Sequence, residues 1–178
     1  MPEESPSQIP VVLGLGSNLG DSRLIILEAI NNLKEVLIKL RAASLYETKP
    51  LYVEDQNRFI NTAVAGYYMG DEDSNSAGKL LQSINRIEER FGRNRARERR
   101  WGERPLDIDI LLFGNLIINR ADLEIPHPRL KERRFALQPL LELLPDATEP
   151  GTGLSYRSVC ETLPDQGVTL LPECIENM

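Results

Sequence analysis

Two aspartates separated by one residue stand inside an otherwise apolar run, DIDILLF, at residues 107–113. In an extended strand, side chains at positions i and i+2 point to the same face. The spacing therefore predicts a strand with Asp107 and Asp109 on one face. We expect the opposite face to hold the strand on an apolar core through Ile108, Ile110 and Leu112.

An uneven distribution of charge surrounds this strand. Residues 93–104 contain six arginines and two glutamates, so they carry +4, while the whole chain carries −6 and the remainder −10. A concentrated positive patch on an acidic protein predicts a pocket for a compact anion rather than a general nucleic-acid surface. Two carboxylates suit Mg²⁺, and Mg²⁺ beside arginines suits a polyphosphate such as ATP. The competing interpretation is that both aspartates are only salt-bridge partners of the arginines.

Length and composition predict an ordinary folded domain, with 178 residues of which 41% are apolar. Residues 1–8 are polar, so we expect a disordered tail followed by one domain over residues 9–178. Cys160 and Cys174 lie far apart, which favours two reduced thiols over a zinc site or a disulfide. No apolar run approaches the roughly 20 residues that span a bilayer, and the N-terminus lacks the features of a signal peptide, so we expect a cytoplasmic protein.

The order of elements predicts the fold class. Strand, helix, strand, strand, helix, strand is the ferredoxin-like βαββαβ order of an α+β protein, a mainly antiparallel sheet with both helices on one face. The predicted elements are a strand in IPVVLGLGSN, a helix over 23–40 capped by Asp21 or Ser22, strands over 42–46 and 59–68, a helix with Leu80, Ile84, Ile87 and Phe91 that ends at Gly92, strands over 107–113 and 116–119, and C-terminal helices near 136–144 and 155–163.

Several residues outside the 107–113 strand are further candidates. The glycines of GLGSNLG do not have GxGxxG spacing, which argues against a dinucleotide-binding fold and favours a tight turn. His127 is the single histidine; a structural role is the commoner one, and an anion-facing role is the alternative. Phe59, Trp101 and Phe135 are placed either to stack on a flat heterocycle or to pack in the core.

Seven segments together carry a family resemblance. GLGSNLGD, ETKPL, FINTAV, RIEERFGRNR, RWGERPLDIDILLFG, IPHPRL and RRFAL resemble, in order, the motifs of the 6-hydroxymethyl-7,8-dihydropterin pyrophosphokinases of folate biosynthesis, over about residues 11–145. The resemblance implies the ferredoxin-like fold. It also implies transfer of diphosphate from ATP to the hydroxymethyl group of the pterin, with attack at the β-phosphorus and release of AMP.

The resemblance further assigns roles to residues. It implies that Asp107 and Asp109 ligate two Mg²⁺ ions and that Arg95 and Arg104 act with them in catalysis. The partners would be ATP and hydroxymethyldihydropterin, without nucleic acid or membrane, and we expect a monomer. The implied ATP site is Asn85, Glu88, Arg93, Arg95, Arg100, Arg104, Ile110, His127 and Arg133, and the implied pterin site is Asn18, Thr48, Pro50, Leu51, Phe59, Asn61, Trp101 and Phe135.

Four departures from the family pattern bear on these contacts. Asn85 stands where a longer Gln is usual, and Lys49 replaces a usual Pro. Asp122 and Glu124 stand where some members contact ATP.

Two alternative functions also fit the pattern. An RNA-binding module shares the βαββαβ order but presents stacking aromatic residues on its strands, and a Mg²⁺-dependent nucleotidyltransferase would combine Gly16 and Ser17 with the two aspartates.

Overall fold

The computed structural model describes residues 7–50, 55–94 and 102–172. The predicted order of strands and helices is present, with one additional strand between the first two helices. The elements are β1 (Gln8–Ser17), α1 (Ser22–Leu33), β2 (Ile38–Ala42), β3 (Tyr46–Thr48), β4 (Phe59–Met69), α2 (Ser74–Arg90), β5 (Asp107–Phe113), β6 (Ile118–Arg120), β7 (Leu123–Ile125), a 3₁₀ turn (Leu130–Glu132), α3 (Arg134–Leu143), α4 (Tyr156–Thr162) and β8 (Thr169–Leu170).

A six-stranded antiparallel sheet forms the centre of the fold. Its order is β5, β1, β4, β3, β8, with β2 also paired to β4. β1 lies between β4 and β5, so the first strand of the chain joins both halves of the βαββαβ unit. The predicted ferredoxin-like α+β fold is confirmed.

Helices cover both faces of this sheet. On one face, α1 and α2 pack on β1 and β5 through a core that includes Leu13, Ile30 and Leu80, all at most 2% exposed. On the other face, Leu137 and Leu140 of α3 pack against strand residues on that side. The predicted arrangement of α1 and α2 on one face is confirmed, and the C-terminal helices take the opposite face.

The boundaries around α1 differ from the prediction. The helix ends at Leu33 rather than residue 40, and the chain then extends into β2, where Ile38 pairs with Tyr67. Leu37 remains buried after the helix has ended. Leucines three or four residues apart fit a helix, but they also fit a turn followed by a strand, and pairing with β4 decides between the two. The predicted 42–46 strand is replaced by β2 before it and β3 after it.

A β-bulge changes which side Leu112 faces. The register of β1 with β5 shifts between Val12 and Leu13, which leaves Leu111 as an extra residue in β5. Leu111 and Leu112 therefore pack on the α3 side, and Phe113 packs on the α1–α2 side. The prediction that Leu112 shares a face with Ile108 and Ile110 is wrong, because the period of two ends at the bulge.

Helix ends and short strands follow local signals. Asp21 accepts a hydrogen bond from the Leu24 N–H at 3.1 Å and so caps α1, and Gly92 follows α2 with φ of +85°. The predicted 116–119 strand forms as β6, where it pairs with β7 in a separate two-stranded sheet. Within the described residues, no helix has the length and apolar character needed to cross a membrane.

One matched pair of variants measures how much the core on the α1 side contributes to the free energy of unfolding. Leu33→Ala removes a fully buried side chain from α1, and we expect the free energy of unfolding to fall by about 2–5 kcal/mol. Leu24→Ala, in the same helix but 50% exposed, should change it by less than about 1 kcal/mol. Urea unfolding followed by circular dichroism measures both. Equal effects would contradict the assignment of Leu33 to the core.

Candidate active site

A cavity of about 110 Å³ lies on the α3 side of the sheet, where β5 begins. Asp107 and Asp109 both line it, and Ile108 between them packs into the opposite core, as the alternation predicted. The structure brings six other predicted site residues to the same cavity, namely Thr48, Phe59, Asn61, Arg104, Arg133 and Phe135.

Two glycines of β1 leave room for this cavity. Gly16 pairs with Asp107 and Gly14 pairs with Asp109, so no β1 side chain stands next to either carboxylate. A Cβ atom on Gly16 would lie 2.9 Å from Oδ1 of Asn61, closer than ordinary contact allows. The absence of side chains at these two positions therefore keeps the floor of the cavity open.

This role of the glycines was not predicted from the sequence. Gly14 and Gly16 lie in regular strand, which confirms the strand predicted in IPVVLGLGSN and not the tight turn, whereas Gly20 does have a positive φ of +76°. Their spacing of two is the same as that of the aspartates. That match was the available signal, but it becomes informative only once β1 and β5 are known to pair.

Asp107 takes part in a buried network of charges. Its Oδ1 accepts from the Arg93 guanidinium at 2.5 Å and its Oδ2 from the Arg104 guanidinium at 2.9 Å. The Arg93 side chain is 5% exposed and also donates to Oε1 of Glu88 at 2.5 Å. The same Glu88 oxygen accepts from the Ile108 N–H at 2.8 Å. Glu88 and Arg93, predicted for the ATP site, therefore fix the end of α2 to β5.

The two carboxylates differ in their ease of ionisation. Burial opposes ionisation of Asp107, but the positive charges of Arg104 and Arg93 outweigh it and lower the pKa of that carboxyl. Burial and the neighbouring Asp107 charge raise the pKa of Asp109 to about 7, against the opposing effect of Arg133. Negative charge at Asp109 is thus only partly balanced.

His127 lies beside Asp109 as a neutral ring. Its Nδ1 accepts from the Arg129 N–H at 3.1 Å, which leaves the proton on Nε2, 3.6 Å from the Asp109 carboxylate. Burial and the nearby Arg133 charge lower the pKa of His127 to about 4. The ring is therefore available as a hydrogen-bond donor rather than as a cation.

Arg133 contacts both a carboxylate and an aromatic ring of the cavity lining. Its guanidinium donates to Oδ2 of Asp109 at 3.4 Å and lies 5.7 Å from the ring centre of Phe135, within cation–π range. Its Nε is buried and, within the described residues, has no hydrogen-bond acceptor. A buried donor without a partner is costly, so this atom is suited to an oxygen supplied by a ligand.

Asp107 and Asp109 provide some, but not all, of the oxygen ligands that a divalent cation needs. Carboxylate oxygens are the ligands that Mg²⁺ prefers, and a cation there would balance the charge that raises the pKa of Asp109. The described ranges contain no cluster of three or more His, Cys, Asp or Glu side chains placed to hold a metal. Water and ligand oxygens would therefore have to complete the coordination.

A second part of the cavity lining, called here the aromatic end, combines aromatic and amide groups. Phe59 and Phe135 line it, and both rings are half-buried. Asn61 also lines the cavity and donates from Nδ2 to Oγ1 of Thr48 at 2.8 Å, which fixes the orientation of its amide. This end of the cavity is suited to a flat, hydrogen-bonding heterocycle.

Some predicted residues have other positions. The Asn18 side chain accepts from the Arg104 N–H at 2.9 Å and donates to Gln56 at 3.2 Å, so it holds the loops together and is not part of the cavity lining. The Ile110 side chain packs in the α1–α2 core, so it does not line the cavity. Asn85 lies on α2, three residues before Glu88. Four predictions, Leu51, Arg95, Arg100 and Trp101, lie outside the described residues.

A family model and individual relatives both match this chain, and they indicate the same family. The family model for 7,8-dihydro-6-hydroxymethylpterin-pyrophosphokinase (HPPK) matches residues 12–145. The 2-amino-4-hydroxy-6-hydroxymethyldihydropteridine pyrophosphokinase of Aquifex aeolicus is 39% identical over 141 residues, which are 79% of this chain and 83% of that protein. The protein of the same name from Haemophilus influenzae is 40% identical over 147 residues, 81% of this chain and 87% of that protein.

Longer relatives and solved structures extend this similarity. The folic acid synthesis protein fol1 of Pneumocystis carinii is 38% identical over 177 residues, 98% of this chain but 23% of that protein, so the chain spans about a quarter of its length. The crystal structure of wild-type Plasmodium falciparum HPPK-DHPS has a TM-score of 0.66 and 17% identity over 89% of this chain and 45% of that one. At that identity the structural likeness concerns the fold.

The Glu88–Arg93 contact should be important for stability. Glu88→Ala removes the carboxylate shared by a buried guanidinium and the Ile108 N–H, and we expect the free energy of unfolding to fall by about 3–5 kcal/mol. Glu89→Ala, at the next and exposed position of α2, is the control and should change it by less than about 1 kcal/mol. Urea unfolding measures both, and a loss below about 1 kcal/mol in Glu88→Ala would count against the network.

Proposed function

The chain belongs to the 7,8-dihydro-6-hydroxymethylpterin-pyrophosphokinase family, and from that premise we propose that it transfers diphosphate from ATP to 6-hydroxymethyl-7,8-dihydropterin in folate synthesis. The products would be AMP and the pterin diphosphate. One observation carries the proposal for this chain. Asp107 and Asp109 share a cavity with the guanidinium groups of Arg104 and Arg133 and with two aromatic rings. A single site thus offers groups for both substrates.

The pterin would occupy the aromatic end of the cavity. Phe59 and Phe135 provide the apolar surfaces between which a bicyclic ring stacks. The amide of Asn61 offers both a donor and an acceptor, which the amide and amino edge of a pterin requires. Because Asn61 is held by Thr48, its orientation is set before the substrate arrives.

The triphosphate would lie at the end of the cavity that carries the charged side chains. Arg104 and Arg133 would donate to phosphate oxygens, and the unpartnered Nε of Arg133 supplies one such donor. We propose that Asp107 and Asp109 hold Mg²⁺ together with phosphate oxygens. When bound, Mg²⁺ neutralises phosphate charge and orients the reacting groups. Roles for Arg95 and Arg100 and the number of ions stay predictions.

The reaction needs positioning rather than a covalent enzyme intermediate. The hydroxymethyl oxygen forms a bond to the β-phosphorus, the bond from that phosphorus to the oxygen of the α-phosphate breaks so that AMP leaves, and the hydroxyl proton passes to solvent. The guanidinium groups on this cavity stabilise the charge that develops on the transferred group. His127, neutral and close to Asp109, would donate a hydrogen bond from Nε2.

The structure bears differently on the two alternative functions that the sequence left open. The sheet face that an RNA-recognition domain leaves open is covered here by α3, which speaks against that alternative. A nucleotidyltransferase keeps one supporting observation, because Gly16 pairs directly with Asp107 despite their distance in sequence. Nucleotidyl transfer would release diphosphate and leave AMP on the acceptor, so the products separate the two reactions. A monomeric state and a cytoplasmic location stay predictions.

Product analysis tests the reaction directly. With ATP, Mg²⁺ and hydroxymethyldihydropterin, we expect AMP and pterin diphosphate in equal amounts, identified by mass spectrometry. Omission of the pterin or of Mg²⁺ should stop turnover. Formation of ADP, release of free diphosphate, or turnover without the pterin would contradict the proposal.

Replacement of Asp109 separates catalysis from folding. Asp109→Asn keeps the size of the side chain but removes an anionic oxygen from the cavity, and we expect turnover to fall on the order of 10³-fold. The melting temperature should stay level or rise, because a repulsion with Asp107 is removed. Glu161→Gln, at an exposed position of α4, is the control for the amide exchange and should keep full turnover. Turnover of Asp109→Asn within tenfold of the wild type would count against the assigned role.

A further inference from the structure

Residues 163–171, which follow the family match, run from one wall of the cavity to the other. We propose that this segment, called here the strap, sets the affinity for the pterin by fixing the start of α3, and that Gln166 is its positioning residue. The inference rests on the proposed function, since it concerns Phe135 as a surface for the pterin. Gln166 itself is not among the residues that line the cavity.

At the α3 wall, one side chain brackets the backbone of Arg133. Gln166 Nε2 donates to the carbonyl oxygen of Glu132 at 2.8 Å, and its Oε1 accepts from the N–H of Arg134 at 2.9 Å. The two contacts flank the residue whose guanidinium meets Asp109. Phe135 directly follows Arg134, so the same amide holds the backbone next to Phe135.

The Arg134 side chain strengthens this attachment. Its guanidinium donates to the carbonyl oxygens of Leu163 at 2.7 Å and Pro164 at 3.2 Å. Arg134 is therefore turned toward the strap, while its neighbours Arg133 and Phe135 line the cavity.

At the other wall, the strap extends the central sheet. Leu170 pairs with Tyr46 and Thr169 with Glu47, and the Leu171 N–H donates to the Leu45 carbonyl oxygen at 2.9 Å. β3 continues directly to Thr48, which lines the cavity and holds Asn61. The strap thus joins the strand that orients the amide to the helix that carries the ring.

The start of α3 needs such an anchor. The first N–H groups of a helix have no partner inside the helix, and Arg133 at the N-cap position makes no capping hydrogen bond through its side chain. Gln166 supplies the missing acceptor from outside. Without it the first turn can shift, and displacements near 1 Å in a binding group are enough to weaken function greatly.

Affinity for the pterin is the discriminating measurement, made on the full chain by fluorescence titration with hydroxymethyldihydropterin. We expect Gln166→Ala to raise the dissociation constant about tenfold, because the start of α3 that carries Phe135 is then no longer fixed before the pterin binds. Gln166→Glu keeps an acceptor for Arg134 and should give an intermediate value. Thr169→Ala, an exposed side chain on the same strap, is the control and should leave the constant unchanged.

A double variant tests whether Gln166 acts through Phe135. In a Phe135→Ala background, Gln166→Ala should change pterin affinity by less than about twofold, because the surface it positions is gone. At saturating pterin, kcat of Gln166→Ala should fall by a smaller factor than its pterin affinity does. A purely structural role would instead lower kcat and the melting temperature while leaving the pterin affinity of the folded fraction unchanged, and that result would overturn the inference.

The outcomes separate this inference from the function on which it rests. If the wild-type chain binds no pterin, both fail. If the wild type binds it and Phe135→Ala weakens binding, but Gln166→Ala keeps the wild-type dissociation constant, only the role of the strap is overturned.

Discussion

The rest of the site depends on the ion pairs that the buried guanidinium of Arg93 makes. It lies between Glu88 at the end of α2 and Asp107 at the start of β5, and both acids meet it at 2.5 Å. A buried charge is stable only when it is paired, so the three groups must stay together. Because Glu88 also accepts from the Ile108 N–H, the network sets where β5 begins. It therefore connects the stability of the core to the position of a carboxylate in the cavity.

The sheet separates stability from chemistry by its two faces. On β5, Ile108 and Ile110 belong to the core, while Asp107 and Asp109 line the cavity. On β1, the positions paired with those aspartates are glycines, whose lack of side chains leaves space for a ligand. α3 then covers the same face beyond the cavity and delivers Arg133 and Phe135 to its edge. The paired strands β1 and β5 thus pack in the core through one face and line the open cavity with the other.

The cavity belongs to the part of the chain that the family shares. The family model matches residues 12–145, which contain every residue of the cavity lining. The strap lies beyond that match, and its partners in α3 and β3 lie within it. Solved structures with 17% identity share the fold, so the arrangement of the sheet is maintained when most side chains differ.

Sequence alone determined the features with a local period. The i, i+2 spacing placed both aspartates on one face, and the apolar stripe of α2 with Gly92 predicted that helix, because side-chain direction follows from backbone geometry within a few residues. Tertiary structure decided the end of α1, the bulge at Leu111 and the pairing of Gly14 and Gly16 with the aspartates. Each depends on the register between strands distant in sequence, which a local period does not contain. The contacts of Gln166 with Glu132 and Arg134 belong to the same class, since only the folded chain brings them together.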